Sequence, residues 1–283
     1  MDQMSDRMYV RLDPAATRLG NWMFQYAAAK CASPAAAVSF VIPDGQDMEQ
    51  VRKYQLLWPE ADYVRVVPSD VKVRTGYFQD TKWVNREMSR QLYLGPLAEN
   101  FKQGSAGIPQ DLEACFSGFG CRSSASELVS IHVRRGDYLR LPHRHPFVGV
   151  KYLREAVARF PESEFLVFSD DLPWCRGFFK GPRFHFAEGN TVLADMYLMT
   201  QCRGGHICSN STFSWWGAYL GEGKTIFPSM WYGPAHRAHD WDGMYFVGSE
   251  VLKNSYTLGL YLKARACMFK TAVGNYLRRY GLR

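Results

Sequence analysis

Two segments carry the residues best able to do chemistry. In SIHVRRGDYL an apolar run ends at His132 and Val133, and Arg134, Arg135 and Asp137 follow at once. A guanidinium is a planar fork of donors that matches phosphate oxygens two at a time and stays charged at every relevant pH. Two of them at a strand end suit a diphosphate. The same residues could instead form an internal ion pair, from Arg134 or Arg135 to Asp137. In HICSNSTFSWWGAYL a short apolar run, the turn Asn210-Ser211-Thr212 and an apolar helix succeed one another. Ser211 or Thr212 can cap that helix, and the free N–H groups of its first turn attract anions. Beside the arginine pair, such a turn would hold the same phosphates from a second side.

These residues need strands to carry them. In the second half of the chain LVSIHV (128–133), EFLVFS (164–169), FHFA (184–187), HICS (206–209) and TIFP (225–228) read as strands. Apolar spacing predicts helices over 148–160, a short one before 184, then 192–202 and 213–220. Strands alternating with helices imply right-handed crossovers and a parallel sheet. Ligands of such sheets sit beyond the carboxyl ends of the strands. The residues there are polar: Arg134, Arg135 and Asp137, then Asp170 and Asp171, then Glu188, then Asn210, Ser211 and Thr212. The first half alternates as well, with strands expected at YVRL (9–12), VSFVI (38–42) and VRVV (64–67), and helices at 19–30 and 82–92. Between the halves, nine of the 23 residues from Gly104 to Ser126 are Gly or Ser, which suits an interdomain crossing. The expected architecture is α/β: two Rossmann-like domains with parallel sheets facing a cleft, at 1–115 and 116–250, followed by a basic helical tail at 251–283.

A length of 283 residues fits two domains of roughly 100 to 200 residues each. With 47% hydrophobic and 22% charged residues, the composition excludes a disordered chain. No run reaches the roughly 20 apolar residues of a membrane helix. The opening MDQMSDRMYV, with Asp2 and Asp6, does not read as a signal peptide. The seven cysteines include no C-x-x-C pair and are expected to be reduced. Together these features predict a cytoplasmic protein. The net charge of +7 is local, because 251–283 holds seven Lys and Arg and no acid, leaving 27 basic against 27 acidic residues elsewhere. A neutral body argues against nucleic acid as a partner. In the tail Leu258, Leu262, Phe269, Val273, Tyr276 and Tyr280 recur at helical intervals among Lys263, Arg265, Lys270, Arg278 and Arg279. Such a helix either packs back across the domains or lies on an anionic membrane, here the inner surface.

Asp240-Trp-Asp242 matches the D-x-D of metal-using sugar-nucleotide enzymes, but no strand precedes it, so no metal is expected. The chain has neither G-x-G-x-x-G nor a P-loop, so no cofactor of those kinds is expected.

Five segments in order resemble glycosyltransferase family 11, the α-1,2-fucosyltransferases. They are LGNWMFQYA (19–27), TGYFQDTKW (75–83), SIHVRRGDY (130–138), FSDDLPWC (168–175), and DMYLMTQC (195–202) with SNSTFSWWGAYL (209–220). The resemblance implies a GT-B fold, GDP-fucose as donor substrate, no metal or cofactor, and inverting transfer to the 2-hydroxyl of a galactoside in a glycan. It places His132, Arg134, Arg135, Asp170, Asp195, Asn210, Ser211 and Thr212 on the donor, with Arg134 on the diphosphate and Asp195 reading guanine. Catalytic roles fall on Arg134, Asn21 and, as candidate general base, Asp137. Trp22, Tyr77 and Gln79 fall on the acceptor side. Where the family opens G-G-L-G-N-Q, this chain has Arg18 for a glycine and Trp22 for the glutamine, which reshapes that side. The rival readings are a sugar-nucleotide-binding protein without turnover and a fucosyltransferase with a peptide acceptor.

Overall fold

A computed structural model of the chain describes residues 7–12, 19–44, 52–69, 72–104, 127–236 and 241–279. Arg18, Cys115, Cys121, Asp240, Tyr280 and nearly all of the expected crossing at 104–126 lie outside them. The chain divides into two compact units. The first comprises Met1–Ile108, Thr191–Tyr197 and Asp242–Phe246; the second comprises Pro109–Asn190, Leu198–Trp241 and Val247–Arg283.

The first unit runs β1 (Arg7–Arg11), α1 (Leu19–Ala32), β2 (Ala37–Val41), β3 (Asp62–Val64), β4 (Val73–Arg74) and α2 (Arg86–Gly104). Its sheet has the order β3-β2-β1-β4, all parallel. The chain steps outward from β1 to β3, then returns to the other side of β1 as β4. Helix α1 is buried from Leu19 to Ala29 apart from Asn21, as its nearly unbroken apolar sequence requires. An aromatic core forms under it, with Phe40 and Trp58 edge to face at 5.5 Å and Tyr26 and Trp58 at 6.0 Å. The buried Tyr93 hydroxyl donates to the Met23 carbonyl at 2.7 Å and ties α2 to α1.

Local chemistry moved several boundaries from their expected places. The strand expected at 64–67 lies at Asp62–Val64, and Val66 is 85% exposed. The helix expected from Lys82 opens as a 3-10 turn, Thr81–Trp83, capped by the Asp80 carboxylate. The α-helix starts at Arg86, where the Asn85 side chain accepts from Met88 N–H at 2.9 Å. It then runs past the expected end, through Pro96, to Gly104.

The second unit, with the first-unit residues Thr191–Tyr197 as one insertion, runs β5 (Val129–Val133), α3 (Val150–Val157), β6 (Phe165–Ser169), α4 (Leu172–Phe178), β7 (Phe184–Phe186), α5 (Val192–Gln201), β8 (Gly205–Ile207), α6 (Thr212–Leu220), β9 (Thr225–Pro228), β10 (Glu250–Leu252) and α7 (Leu258–Arg279). The sheet order is β10-β9-β8-β5-β6-β7, again all parallel. Numbered from β5, this is 6-5-4-1-2-3, the order of a doubly wound dinucleotide-binding sheet. The fold is therefore α/β with two Rossmann-like parallel sheets. Every residue of β5 is buried, which is why LVSIHV is mostly apolar, and its polar members Ser130 and His132 are paired inside with His206 and Ser209 at 2.8 Å each. The buried Tyr152 hydroxyl of α3 reaches the Cys208 carbonyl at 2.6 Å and that of Ile226 at 3.1 Å, holding the ends of β8 and β9 together. Among the described residues no helix is long and apolar enough to cross a membrane.

Candidate active site

In the second sheet the winding direction reverses between β5 and β8. A doubly wound sheet binds its ligand at that position. The segments emerging from the two strands are Arg134-Arg135-Gly136-Asp137 and Cys208-Ser209-Asn210-Ser211-Thr212, so the topology brings together the two motifs that the sequence singled out.

Two aspartates at the end of β6 hold the arginine loop. The Asp170 carboxylate accepts from Arg135 N–H at 2.8 Å and from Gly136 N–H at 3.2 Å, and it lies 3.3 Å from Arg134 Nη1. Gly136 is needed for this close approach, because a Cβ there would stand 2.9 Å from Asp170 Oδ2. Asp171 caps α4, accepting from Trp174 N–H at 3.3 Å, and its other oxygen pairs with Arg135 Nη1. The Arg135 guanidinium also lies 4.7 Å over the Trp174 ring. Arg135 is thus folded onto α4 as a structural cation. Arg134 differs: its Nε pairs with Asp137 Oδ1 at 3.0 Å and its Nη1 with Asp170, neither pair uses Nη2, and its side chain is 26% exposed. Asp137 is therefore an ion-pair partner of Arg134, the internal pairing that the sequence allowed.

On the β8 side, Ser211 is the N-cap of α6, its hydroxyl accepting from Phe213 N–H at 3.3 Å, and Thr212 is the first helical residue. Asn210 is 2% exposed and donates its amide to the Pro146 carbonyl at 3.0 Å and the Trp231 carbonyl at 2.9 Å. It braces the turn from beneath.

His132 lies under both loops, its Nδ1 within 2.8 Å of Ser209 Oγ and its ring 5.3 Å from Phe213. Burial, helped by the Arg134 guanidinium, pushes this imidazole down to about 3. The folded protein keeps it neutral, whereas the unfolded chain protonates it below its ordinary value of about 6.5. The stability linked to it is complete above that value and is lost as pH falls toward 3, at up to about 1.4 kcal/mol per pH unit. His132→Gln removes the titration. Between pH 6.5 and 5, above the carboxylate range, urea unfolding should show the wild type losing about 1.5–2 kcal/mol more than the variant. Equal losses would mean that the imidazole is not held neutral.

The residues expected on the acceptor side lie in the first unit. Asn21 Oδ1 accepts from Gln79 Nε2 at 2.8 Å. Tyr77 and Gln79 flank Phe78, whose φ of 52° is a left-handed value rare for a bulky residue and marks a strained turn. Trp22 departs from expectation: it is 2% exposed and packs edge-on against Tyr54 at 5.9 Å and Trp58 at 6.4 Å. It is a core residue, because aromatic partners from 54 and 58 enclose it. Sequence reasoning passed over Gln25, which is 1% exposed and donates to the Arg11 and Gly76 carbonyls at 2.9 and 2.8 Å. It joins the end of β1 to the loop after β4, at the switch point of the first sheet. A glutamine within the run 22–29, apolar at every other position, was the available signal. Asp195 sits in the first turn of α5, which Thr191 opens by accepting from Ala194 N–H at 3.1 Å, and it groups with the first unit. Asp242 opens the turn Asp242–Met244, also in the first unit.

The Glycosyl transferase family 11 model matches residues 108–237. The matched stretch is 130 of the chain's 283 residues. The matched stretch contains the whole β5–β8 switch point, both arginines and the Ser211 cap. The chain is 39% identical over 122 residues to an α-1,2-colitosyltransferase of Escherichia coli, covering 37% of this chain and 41% of that protein. It is 36% identical over 194 residues to the O-antigen biosynthesis glycosyltransferase WbnK of Escherichia coli, covering 62% of each. It is 39% identical over 112 residues to a galactoside α-(1,2)-fucosyltransferase 1 of Leontopithecus chrysomelas, covering 35% and 30%. The chain thus spans less than two thirds of the length of each of these relatives. The solved E. coli heptosyltransferase WaaC with ADP superposes at 10% identity and a TM-score of 0.44, covering 94% of this chain and 99% of that one.

Proposed function

We propose that the chain is an inverting fucosyltransferase that moves L-fucose from GDP-fucose to the 2-hydroxyl of a galactoside. The observation that carries this reading is the strand order of the second sheet, which sets Arg134 and the Ser211-capped helix end on neighbouring strands at the switch point. In the proposed reaction the acceptor oxygen bonds to the fucose C1 as the bond from C1 to the diphosphate oxygen breaks on the opposite face. The acceptor proton passes to a base. Positive charge builds on the sugar ring and negative charge on the departing GDP. Arg134, through its unpaired edge, and the α6 N-terminus are the groups proposed to take that negative charge. Asp137 and Asp170 are proposed to aim Arg134, and Asp137 is read as that guide rather than as the general base. Asp195 is proposed to read the guanine, and the Asn21–Gln79 pair with Tyr77 to seat the acceptor. His132 and Asn210 keep their donor-side assignment as supports of the loops that touch the nucleotide.

The relatives' names bear on the sugar. One is named for colitose transfer and another for galactoside fucose transfer, both with α-1,2 linkage. Colitose is therefore the second donor to test. With galactoside acceptors and excess EDTA, GDP release from GDP-fucose should proceed at the rate seen with added manganese. Chelation that stops release, with rescue by manganese, would return the Asp240–Asp242 metal reading. Calorimetric binding of GDP-fucose with no release on any galactoside or peptide acceptor would leave a binding protein, and faster release from the colitose donor would reassign the sugar.

A further inference from the structure

We propose that α7 docks on an anionic lipid surface through the stripe Leu258, Leu262, Phe269, Val273 and Tyr276. At 3.6 residues per turn these five side chains project within an arc of about 60°. They are exposed by 75, 59, 72, 40 and 59%. The helix is seated on the opposite side, through the buried Ala264 and the half-buried Leu260, Cys267, Met268 and Gly274. Its start is fixed to the second unit: the Tyr256 hydroxyl donates to the Pro142 carbonyl, and Thr257 Oγ1 accepts from Leu260 N–H at 3.2 Å. A helix that serves only its own core turns its bulky apolar residues inward. This one also presents leucine, phenylalanine, valine and tyrosine to solvent.

The charges identify the occupant. Lys263 and Lys270 border one edge of the stripe, and Arg265 and Arg279 border the other. Over 251–283 there are seven Lys and Arg and no Asp or Glu. An apolar stripe between two basic edges is the pattern of a helix lying in the headgroup region, its apolar side chains sunk at the acyl boundary and its cations on lipid phosphates. A second copy of the chain fits poorly, since two such helices would bring like charges together at both edges. A protein groove also fits poorly, because lysine is depleted in protein interfaces.

The test is co-sedimentation of the full chain with phosphatidylcholine vesicles, with and without phosphatidylglycerol. Each cation near an anionic surface contributes roughly fivefold to partitioning, so Lys263→Glu/Lys270→Glu should lower binding to anionic vesicles by more than about 20-fold. Leu262→Ser/Phe269→Ser should lower it at least tenfold, and about 0.5 M salt should weaken the wild type, because screening shortens the reach of the charges. Both variants change solvent-facing residues, so unfolding midpoints and GDP release with a soluble acceptor should match the wild type. These readouts keep failure of docking distinct from failure of the fucosyltransferase reading. Equal binding to neutral and anionic vesicles, or no binding by the wild type, overturns the proposal. So does a dimer that Leu262→Ser/Phe269→Ser dissociates in a chain that ignores lipid, which would make this face an interface between copies.

Discussion

Replacing Arg134 by alanine should lower kcat/KM for fucose transfer by about 100- to 1000-fold, the usual cost of deleting one donor aimed at developing negative charge. GDP should bind more weakly as well. The fold should survive, because the partners left behind, Asp137 and Asp170, are 29% and 24% exposed and water can solvate them, a cost of about 1 kcal/mol or less. Arg134→Lys is the sharper variant. A lysine keeps the charge, but an ammonium cannot meet Asp137, Asp170 and a phosphate in one plane as the guanidinium does. Its rate should therefore stay within about tenfold of the alanine variant, while its unfolding midpoint matches wild type. Near-normal turnover by the lysine variant would reduce the role of Arg134 to a point charge and remove the case for Asp137 and Asp170 as its guides.

That prediction concerns a residue legible in the sequence, and the reason it was legible is physical. Strands covered on both faces are mostly apolar, so LVSIHV and EFLVFS stand out, and the charged residue that follows each marks a sheet end. Ligands of parallel sheets bind at such ends, which makes Arg134, Asp170 and Ser211 visible without coordinates. Two strands lacked this signal. β4 is only Val73–Arg74, and the edge strand β10 opens on the charged Glu250, so neither offers an apolar run. Roles set by distant partners were also hidden. Trp22 reads as a substitution in a substrate loop until Tyr54 and Trp58, more than 30 residues away, close around it. Arg134 and Arg135 are neighbours of one type, and only the positions of Asp171 and Trp174 separate the structural cation from the one with a free edge. Asp195 carries the expected spacing to Ser211, yet spacing says nothing of which unit the first turn of α5 packs with.

Asp170 should matter almost as much as Arg134, although its proposed work is positioning. Its carboxylate gathers Arg135 N–H, Gly136 N–H and Arg134 Nη1, so it fixes the loop backbone and the aim of the guanidinium together. A displacement of about 1 Å in a catalytic group can cost on the order of 100-fold in rate, and Asp170→Ala should lower kcat by about 10- to 100-fold. Asp170→Asn divides the two tasks. Its amide oxygen can still accept the backbone N–H groups, but the charge that holds Arg134 is gone, so stability should return further than rate. Gly136→Ala reaches the same clamp by steric means, since the new Cβ would lie 2.9 Å from Asp170 Oδ2 and 3.3 Å from its Cγ. The carboxylate must then move off the N–H groups that it accepts. If crowding of Asp170 is the whole injury, adding Gly136→Ala to Asp170→Ala should cost little more, and the double-mutant cycle should show a coupling of about 1 kcal/mol or more. Full additivity would mean that Gly136 serves a different neighbour and that Asp170 is not what requires a glycine there.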